Sequence, residues 1–496
     1  MKTFFLCLLS AILLVFSFPP IDLEFFAYFA FVPFLIALER RNLLESFWIG
    51  TLFGFLFFAG LIYWVGYVTW IGAAVLILYL SFYFSLFGLG VKILGRHTRL
   101  LIPFLWVALE FLRSRLFTGF GWALLGYSQW RRLSFIQMAD LGGAYLISFG
   151  VMLLNVVLYL FLKQRRRKTD FPIGLLAVVV FFSFALWYGK MRMNSFGSLP
   201  TFRAGVIQGN IPQDIKWEPS AQDLIMKKYE ALTQTIALNG PDAVFWPETA
   251  VPEVLPDEKE LLGRLLSLNQ KIGTPLLVGS PWKEGRFLYN SALLLKDGKI
   301  AERYDKLHLV PFGEFIPFEK RFPFLRNWIE TGDFHSGKQM TVFHHPKGAF
   351  SVLICFEDIF PDLSRRFAKD SEFLVNLTND AWFGQSGAPF QHAQASAFRA
   401  IENRRSILRV TNTGYTCLID PTGQVTDHLQ RGGETLFVTG AQLWEIPLSK
   451  TVTFYSRHGD WFAWLCAALT LLGAAFALLE RALPKPPPPA QSKSRS

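Results

Sequence analysis

Hydrophobic and polar positions follow two different rhythms along this chain. Before residue 200 the apolar positions form long, nearly unbroken runs, at about 3–18, 23–38, 47–69, 71–94, 100–117, 141–162 and 171–189, and one more covers about 461–480. A helix needs about 20 apolar residues to cross the hydrocarbon core of a bilayer. The runs therefore predict seven membrane helices and, after a long interval, an eighth. The first two are short and flank Pro19-Pro20. Lys2 ahead of an apolar core also resembles the start of a signal peptide. However, Phe16-Ser17-Phe18-Pro19 offers no small-x-small cleavage site, and Cys7 is not preceded by the small residue of a lipid-attachment site.

Between residues 200 and 460 the apolar runs shrink to strand length: Phe202–Gln208, Ala243–Trp246, Leu276–Gly279, Ser291–Leu295, Ser351–Cys355, Phe373–Leu377, Ser406–Val410 and Thr416–Ile419. Helical spacing returns between them near 221–238, 257–272, 360–369 and 389–403. Lys296-Asp297-Gly298-Lys299 and Asp420-Pro421-Thr422-Gly423 read as turns. Helical crossovers mixed with hairpins predict an α/β domain with a mixed sheet. No internal repeat is visible, and no G-x-G-x-x-G or Walker pattern follows a strand, so nucleotide binding is unsupported.

Charge sharpens this division. The chain of 496 residues has a formal net charge of +11, which by itself would admit a nucleic-acid partner. Residues 1–200 carry 17 Lys+Arg against 7 Asp+Glu, residues 201–460 carry 28 against 30, and residues 461–496 carry 4 against 1. The basic excess thus belongs to the apolar ends and not to a patch on a folded domain, which argues against nucleic acid. With the N-terminus in the cytoplasm, Arg40, Arg41, Lys92, Arg96, Arg99, the Lys163–Lys168 cluster and Arg481, Lys485, Lys493 and Arg495 all fall inside, as the positive-inside rule requires. The discordant loop holds Arg113, Arg115, Arg131 and Arg132. Seven crossings then place residues 190–460 outside, and the eighth returns the Pro-rich tail (Pro484–Pro489) to the cytoplasm. Glu110 and Arg113, near the outer end of the fifth helix, are either a polar pair or part of a lipid-headgroup site.

Three places put reactive side chains at strand ends. Ala243–Glu248 sets a carboxylate after a buried strand. Arg303–Glu314 sets Lys306 and Glu314 eight apart on a loop. Ser351–Asp358 sets Cys355 where a strand gives way to a helix. Singly, each reads as ordinary: a packed thiol, a solvated lysine, a helix-capping acid. Together they supply a nucleophile, a base and a cation. A thiolate is the reactive form, and Glu357 and Asp358 beside Cys355 would disfavour it. Lys306 would supply the compensating charge and an oxyanion contact, and Glu248 would accept the proton. The histidines, including His308, His335, His344, His345 and His392, lack zinc-ligand spacing, so no metal site is expected. Cys417 and Cys466 read as packing residues.

WPET with Glu248, YDKLHLVPFGE with Lys306 and Glu314, and ICFED with Cys355 resemble the carbon–nitrogen hydrolase (nitrilase) superfamily. That resemblance implies a Glu–Lys–Cys triad on an αββα sandwich and a thioester acyl-enzyme. Residues 119–129, Gln208–Gln213, Asn376–Gly384 (NLTNDAWFG) and Thr453–Asp460 (TFYSRHGD) narrow it, because they are similar to segments of the apolipoprotein N-acyltransferases. The first two membrane segments and the tail after 481 match by character only. The resemblance implies Glu248 as base, Lys306 as oxyanion and positioning group, and Cys355 as nucleophile, with Glu314, Glu357 and Trp217 in support. It implies a phospholipid acyl donor, a diacylated apolipoprotein acceptor and no cofactor. It also implies a monomer in the bacterial inner membrane, with a periplasmic catalytic domain and cytoplasmic termini. The expected organisation is a seven-helix membrane domain (1–195), a nitrilase-like catalytic domain (196–460), a membrane helix (461–481) and a disordered tail (482–496). A membrane-tethered amidase acting on small amides is the alternative. Phe312, Phe315, Phe318, Phe322, Phe324, Leu325 and Trp328, beside Lys320, Arg321 and Arg326, read either as a mobile lid at the membrane interface or as a loop packed on the core.

Overall fold

The computed structural model describes residues 1–95, 98–163, 170–317, 319–321, 323–327 and 332–482. Arg96, most of the Lys163–Lys168 cluster, Phe318, Phe322, Trp328 and the Pro-rich tail lie outside the described residues. Among the described residues, five helices are long and apolar enough to cross a bilayer: Leu43–Leu61, Trp70–Leu94, Ala139–Leu162, Asp170–Met193 and Trp461–Ala482. The other three expected crossings are shorter. Lys2–Phe16 has 15 residues, Ile102–Arg113 has 12, and the second run is divided into a 3-10 turn, Glu24–Tyr28, and a short helix, Phe31–Ala37. At about 1.5 Å per residue the first spans roughly 22 Å, less than a full hydrocarbon core.

Chain direction nevertheless alternates through all eight segments. At one end of the bundle Lys163 Nζ meets Glu39 Oε2 at 3.0 Å, Lys92 Nζ donates to Leu38 O at 3.2 Å, and Arg481 donates to Lys92 O at 2.7 Å. At the other end Gln391, on a helix of the α/β domain, receives the loops after the first, third and fifth segments. Its amide donates to Pro19 O (3.0 Å) and Leu61 O (3.3 Å) and accepts from Trp64 Nε1 (3.2 Å) and Trp122 Nε1 (2.9 Å). The helices 43–61 and 70–94 approach closely through small residues: a Cβ on Gly50 would stand 2.3 Å from Phe84 O. Such contacts are the usual means of packing helices where lipid removes the hydrophobic drive.

The discordant arginines are each spoken for. Arg113 is buried and donates to Trp122 O (2.7 Å) and Ala123 O (3.3 Å), while Glu110 Oε1 accepts from Leu125 N (2.6 Å). The pair thus pins loop 119–129. Arg115 pairs with Asp460, Arg131 with Asp22 at 2.8 Å and Arg132 with Glu24 at 2.7 Å. Local acids and carbonyls therefore neutralise a loop that sequence counting scores as basic.

Among the described residues, the α/β domain contains two six-stranded sheets. β1 (Thr201–Gln208), β2 (Ala243–Phe245), β3 (Leu276–Glu284), β4 (Phe287–Lys296), β5 (Lys299–Asp305) and β12 (Gly440–Pro447) form one, in the order β12-β1-β2-β3-β4-β5. β6 (Val342–Phe343), β7 (Phe350–Ile354), β8 (Phe373–Thr378), β9 (Ser406–Thr411), β10 (Cys417–Ile419) and β11 (Val425–His428) form the other, in the order β11-β10-β9-β8-β7-β6. In each sheet three central strands run parallel and the outer ones antiparallel. Period-two alternation assigns the layers. Phe202, Ala204, Val206 and Phe245 face the opposite sheet, where Phe202 meets Phe373 at 5.0 Å between ring centres. Ile207, Val244 and Val278 face helices Gln222–Ala237 and Lys259–Ile272. Helices Pro361–Phe367 and Ala388–Asn403 cover the second sheet. The result is the expected αββα sandwich, and its inter-sheet core is continuous with the core of the bundle.

Buried ion pairs join the two parts. Asp140, at the start of a bundle helix, accepts from Arg404 Nη2 (2.6 Å), Arg192 Nε (2.8 Å) and Tyr188 OH (2.7 Å). Arg404 is fully buried, so Asp140→Ala leaves a guanidinium without its counter-charge. The expected loss is about 3–5 kcal/mol of stability, measured as a lower thermal midpoint of the purified protein in detergent.

Candidate active site

Cys355 follows the last residue of β7 and opens a 3-10 turn, Cys355–Ile359. Its φ is +55°, a left-handed conformation that a non-glycine residue adopts only when its surroundings enforce it. The reversal lifts the thiol off the end of the sheet, and Cys355 is the one part-exposed cysteine of the four; Cys7, Cys417 and Cys466 are buried. Asn376 Nδ2 donates to its carbonyl at 2.8 Å.

Glu248 lies three residues past β2, at the corresponding end of the facing sheet. The chain there passes so close to β3 that a Cβ on Gly279 would stand 2.3 Å from Pro247 O and 2.7 Å from Glu248 Cα. Glu248 is 7% exposed; its Oε1 accepts from Asn290 Nδ2 at 2.8 Å and its Oε2 from Asn379 N at 2.8 Å. Lys306, just after β5, is 1% exposed, contrary to the usual solvated lysine. Its Nζ sits 2.9 Å from Glu314 and 3.7 Å from Glu248 Oε1. Glu248, Lys306 and Glu314 therefore form one buried electrostatic unit.

Burial raises the Cys355 thiol pKa well above its usual value; the Glu248 carboxylate raises it further, Lys306 opposes, and Asp380 adds to the rise. The thiol is neutral at rest, so the site needs a base. Burial also raises Glu248, with Lys306 pulling it down and Glu314 pushing it up, a direction that suits a general base. Burial would lower Lys306, but Glu314 and Glu248 outweigh it and hold the ammonium charged. The carboxylates acting most strongly on the thiol are thus Glu248 and Asp380, not the sequence neighbours Glu357 and Asp358.

The supporting acids have distinct places. Glu314 orients Lys306 and also accepts from Asn290 Nδ2 (2.9 Å) and Val310 N (2.8 Å). Glu357 accepts from Ile354 N (2.7 Å), Leu307 N (2.8 Å), His308 N (2.9 Å) and Tyr304 OH (2.9 Å). It ties the strand that carries Cys355 to the loop that carries Lys306. Burial raises its pKa to about 7. Trp217 is 47% exposed and its ring lies beside Lys216. Lys216 itself escaped the sequence reading. It is buried, donates to Thr249 Oγ1 at 2.6 Å, and burial lowers its pKa to about 8. Asn290, Asn379 and Tyr304 were also missed as functional residues, although Asn379 and Tyr304 stand inside the motifs that marked the site.

A two-sheet sandwich with Glu, Lys and Cys at one end of its strands defines a carbon–nitrogen hydrolase domain, and residues 203–446 match that family's model. Residues 10–157 match the model of the apolipoprotein N-acyltransferase N-terminal domain. The chain is 38% identical to the apolipoprotein N-acyltransferase of Geobacter metallireducens, over 97% of this chain and 96% of that one. It is 33% identical to that of Methylococcus capsulatus, over 97% of each. Among solved structures, an amidase of the nitrilase superfamily from Nesterenkonia aligns with 51% of this chain and 94% of its own, at 18% identity and a TM-score of 0.39. The chain belongs to the apolipoprotein N-acyltransferases, acyltransferase enzymes embedded in a membrane. Its near-full-length match to them, bundle included, sets aside the small-amide amidase.

Proposed function

We propose that this chain moves a fatty acyl group from the sn-1 position of a phospholipid, phosphatidylethanolamine serving as donor, to the N-terminal amine of the diacylglyceryl-cysteine of apolipoproteins. The observation that carries the reading is the shared cluster of Glu248, Lys306 and part-exposed Cys355 in a domain fused to a membrane bundle. Glu248 removes the thiol proton and Cys355 attacks the sn-1 ester. Lys306 and a backbone N–H stabilise the oxyanion, and the lysophospholipid leaves as its departing oxygen takes the proton back from Glu248, which frees the carboxylate for the second half-reaction. The amine then attacks the thioester, Glu248 takes its proton, and the amide forms with the thiol restored. Covalent catalysis divides one difficult transfer into two easier ones.

The domain boundaries follow from the same reading: membrane bundle 1–195, catalytic domain 196–460, membrane helix 461–481. Arg41, Lys92, Lys163 and Arg481 gather at the end of the bundle away from the catalytic domain. That asymmetry supports cytoplasmic termini and a periplasmic catalytic domain in the inner membrane. The test is to supply phospholipid labelled in its sn-1 chain. Label should appear as a thioester on Cys355 and pass to a diacylated lipopeptide; release as free fatty acid alone overturns the reading.

The segment after Lys306 supports a lid in part. Phe312 and Phe324 are exposed, as are Lys320, Arg321 and Arg326, while Phe315 is half-buried and Ile316 is buried. Phe312→Ser is expected to slow acylation from vesicles by about three- to tenfold, the equivalent of losing roughly 1 kcal/mol of apolar contact. Alkylation of Cys355 by a water-soluble reagent should be unchanged. Equal acylation rates would remove Phe312 from the lid.

A further inference from the structure

His392 and its neighbours form a buried cluster that the triad chemistry does not use. His392 lies on helix Ala388–Asn403, one residue after Gln391, and is 1% exposed. Its Nε2 is 2.8 Å from Asp358 Oδ1 and its Nδ1 is 3.3 Å from Asp380 Oδ1. Arg409 Nη1 donates to Asp358 Oδ2 at 2.8 Å, and Ser396 Oγ donates to the same oxygen. Asp358, Asp380 and Arg409 are buried as well. An ionised carboxylate only accepts, so a ring with a carboxylate oxygen at each nitrogen must donate from both and is an imidazolium. Two carboxylates, one guanidinium and one imidazolium make the cluster neutral, the condition for burying it.

Each carboxylate belongs to a segment that positions the chemistry. Asp358 is in the turn that Cys355 opens. Asp380 follows Asn379, whose N–H holds Glu248 Oε2 at 2.8 Å. On the other side the His392 ring packs on Trp122, 5.4 Å between centres, and Gln391 takes the backbone of two bundle loops and the indoles of Trp64 and Trp122.

We propose that His392 is a positioning residue: a doubly donating imidazolium that fixes the nucleophile's turn and the base's supporting loop in one register, and anchors both to the membrane loops through the adjacent Gln391. The proposal rests on Cys355 being the nucleophile. Its stronger arm is the shorter contact, Nε2 to Asp358.

The two amide substitutions separate the arms. His392→Gln can place its donor where Nε2 stands; His392→Asn reaches only the Nδ1 position. In the full-length protein, single-turnover formation of the Cys355 thioester from labelled phospholipid should stay near the wild-type rate in His392→Gln. It should fall by about 10- to 100-fold in His392→Asn, the scale of a misplacement near 1 Å, with the phospholipid KM unchanged in both. A role in folding alone would not produce that split. A Gln variant no faster than the Asn variant overturns the proposal. Absence of any thioester in the wild-type protein instead overturns the functional reading beneath it.

Discussion

Cys355→Ala is expected to abolish both the thioester and the transfer, by about 10⁵-fold or more, since removing a covalent nucleophile leaves only binding and oxyanion stabilisation. The substitution deletes one sulfur from a part-exposed position and should leave the fold intact, because the turn is held by contacts to other residues: Asn376 to the Cys355 carbonyl, Glu357 to Ile354 N and His392 to Asp358. No other cysteine can stand in, as Cys7, Cys417 and Cys466 are buried and burial holds the Cys417 thiol up at about 12. Cys355→Ser keeps the geometry but asks Glu248 to deprotonate a far weaker acid, so it should fall nearly as far. The check is covalent label after incubation with sn-1-labelled phospholipid, with a thermal midpoint to confirm folding. Label retained at wild-type level in Cys355→Ala would remove the residue from the mechanism.

The sequence disclosed the two solvents of this protein clearly, because long apolar runs and short alternating ones need no tertiary information. It disclosed the lengths of the elements less well. Run 23–38 is continuous in hydropathy, yet Glu24–Tyr28 and Phe31–Ala37 are separate turns of helix. Asn155 enters at that break: it accepts from Phe31 N (2.9 Å) and donates to Ala27 O (2.8 Å). A polar side chain more than a hundred residues away thus decides the local backbone. β5, β6, β11 and β12 were not anticipated. β5 carries Lys299, Glu302, Arg303 and Asp305, and β12 pairs with β1, some 240 residues earlier in the chain. Edge strands carry polar side chains that mask strand patterning.

At the site, residue types at strand ends single out Glu248, Lys306 and Cys355 as candidates. Their second layer was not legible. Asn379 holds Glu248 through its backbone N–H, which every residue but proline possesses, so its identity carries almost no signal of that role. Lys216 looks like a surface lysine before Trp217 until the fold buries it. In the sequence His392 stands out only as one of several histidines without zinc-ligand spacing. Its partners, Asp358 and Asp380, lie 34 and 12 residues away and meet it only once helix Ala388–Asn403 packs on the second sheet. Glu357 and Asp358 were read as neighbours of the thiol because they are adjacent in sequence, yet the 3-10 turn points them into opposite hydrogen-bond networks.

Glu248→Gln carries the second large effect. Among the described residues, the carboxylate's close contacts are donors: Asn290 Nδ2, Asn379 N–H and, at 3.7 Å, the Lys306 ammonium. An amide can offer one acceptor to this group, and its NH₂ must then face another donor. The substitution therefore removes the base and misorients what replaces it. The expected fall in acylation is about 10³–10⁴-fold, the upper part of the range for a general base. Transfer from a preformed thioester should fall as well, because the attacking amine also needs Glu248 to take its proton. A second measurement fixes the sign of the electrostatics. Burial is the main cause of the raised Cys355 pKa, but the Glu248 charge adds to it and Lys306 subtracts from it. Removing the Glu248 charge should move the pH midpoint of Cys355 alkylation downward, while Lys306→Met should move it upward. An inactive Glu248→Gln enzyme whose thiol becomes easier to ionise is what a base acting beside a cation-supported thiol requires. A midpoint that rises in Glu248→Gln would mean that Glu248 does not act on Cys355 at all.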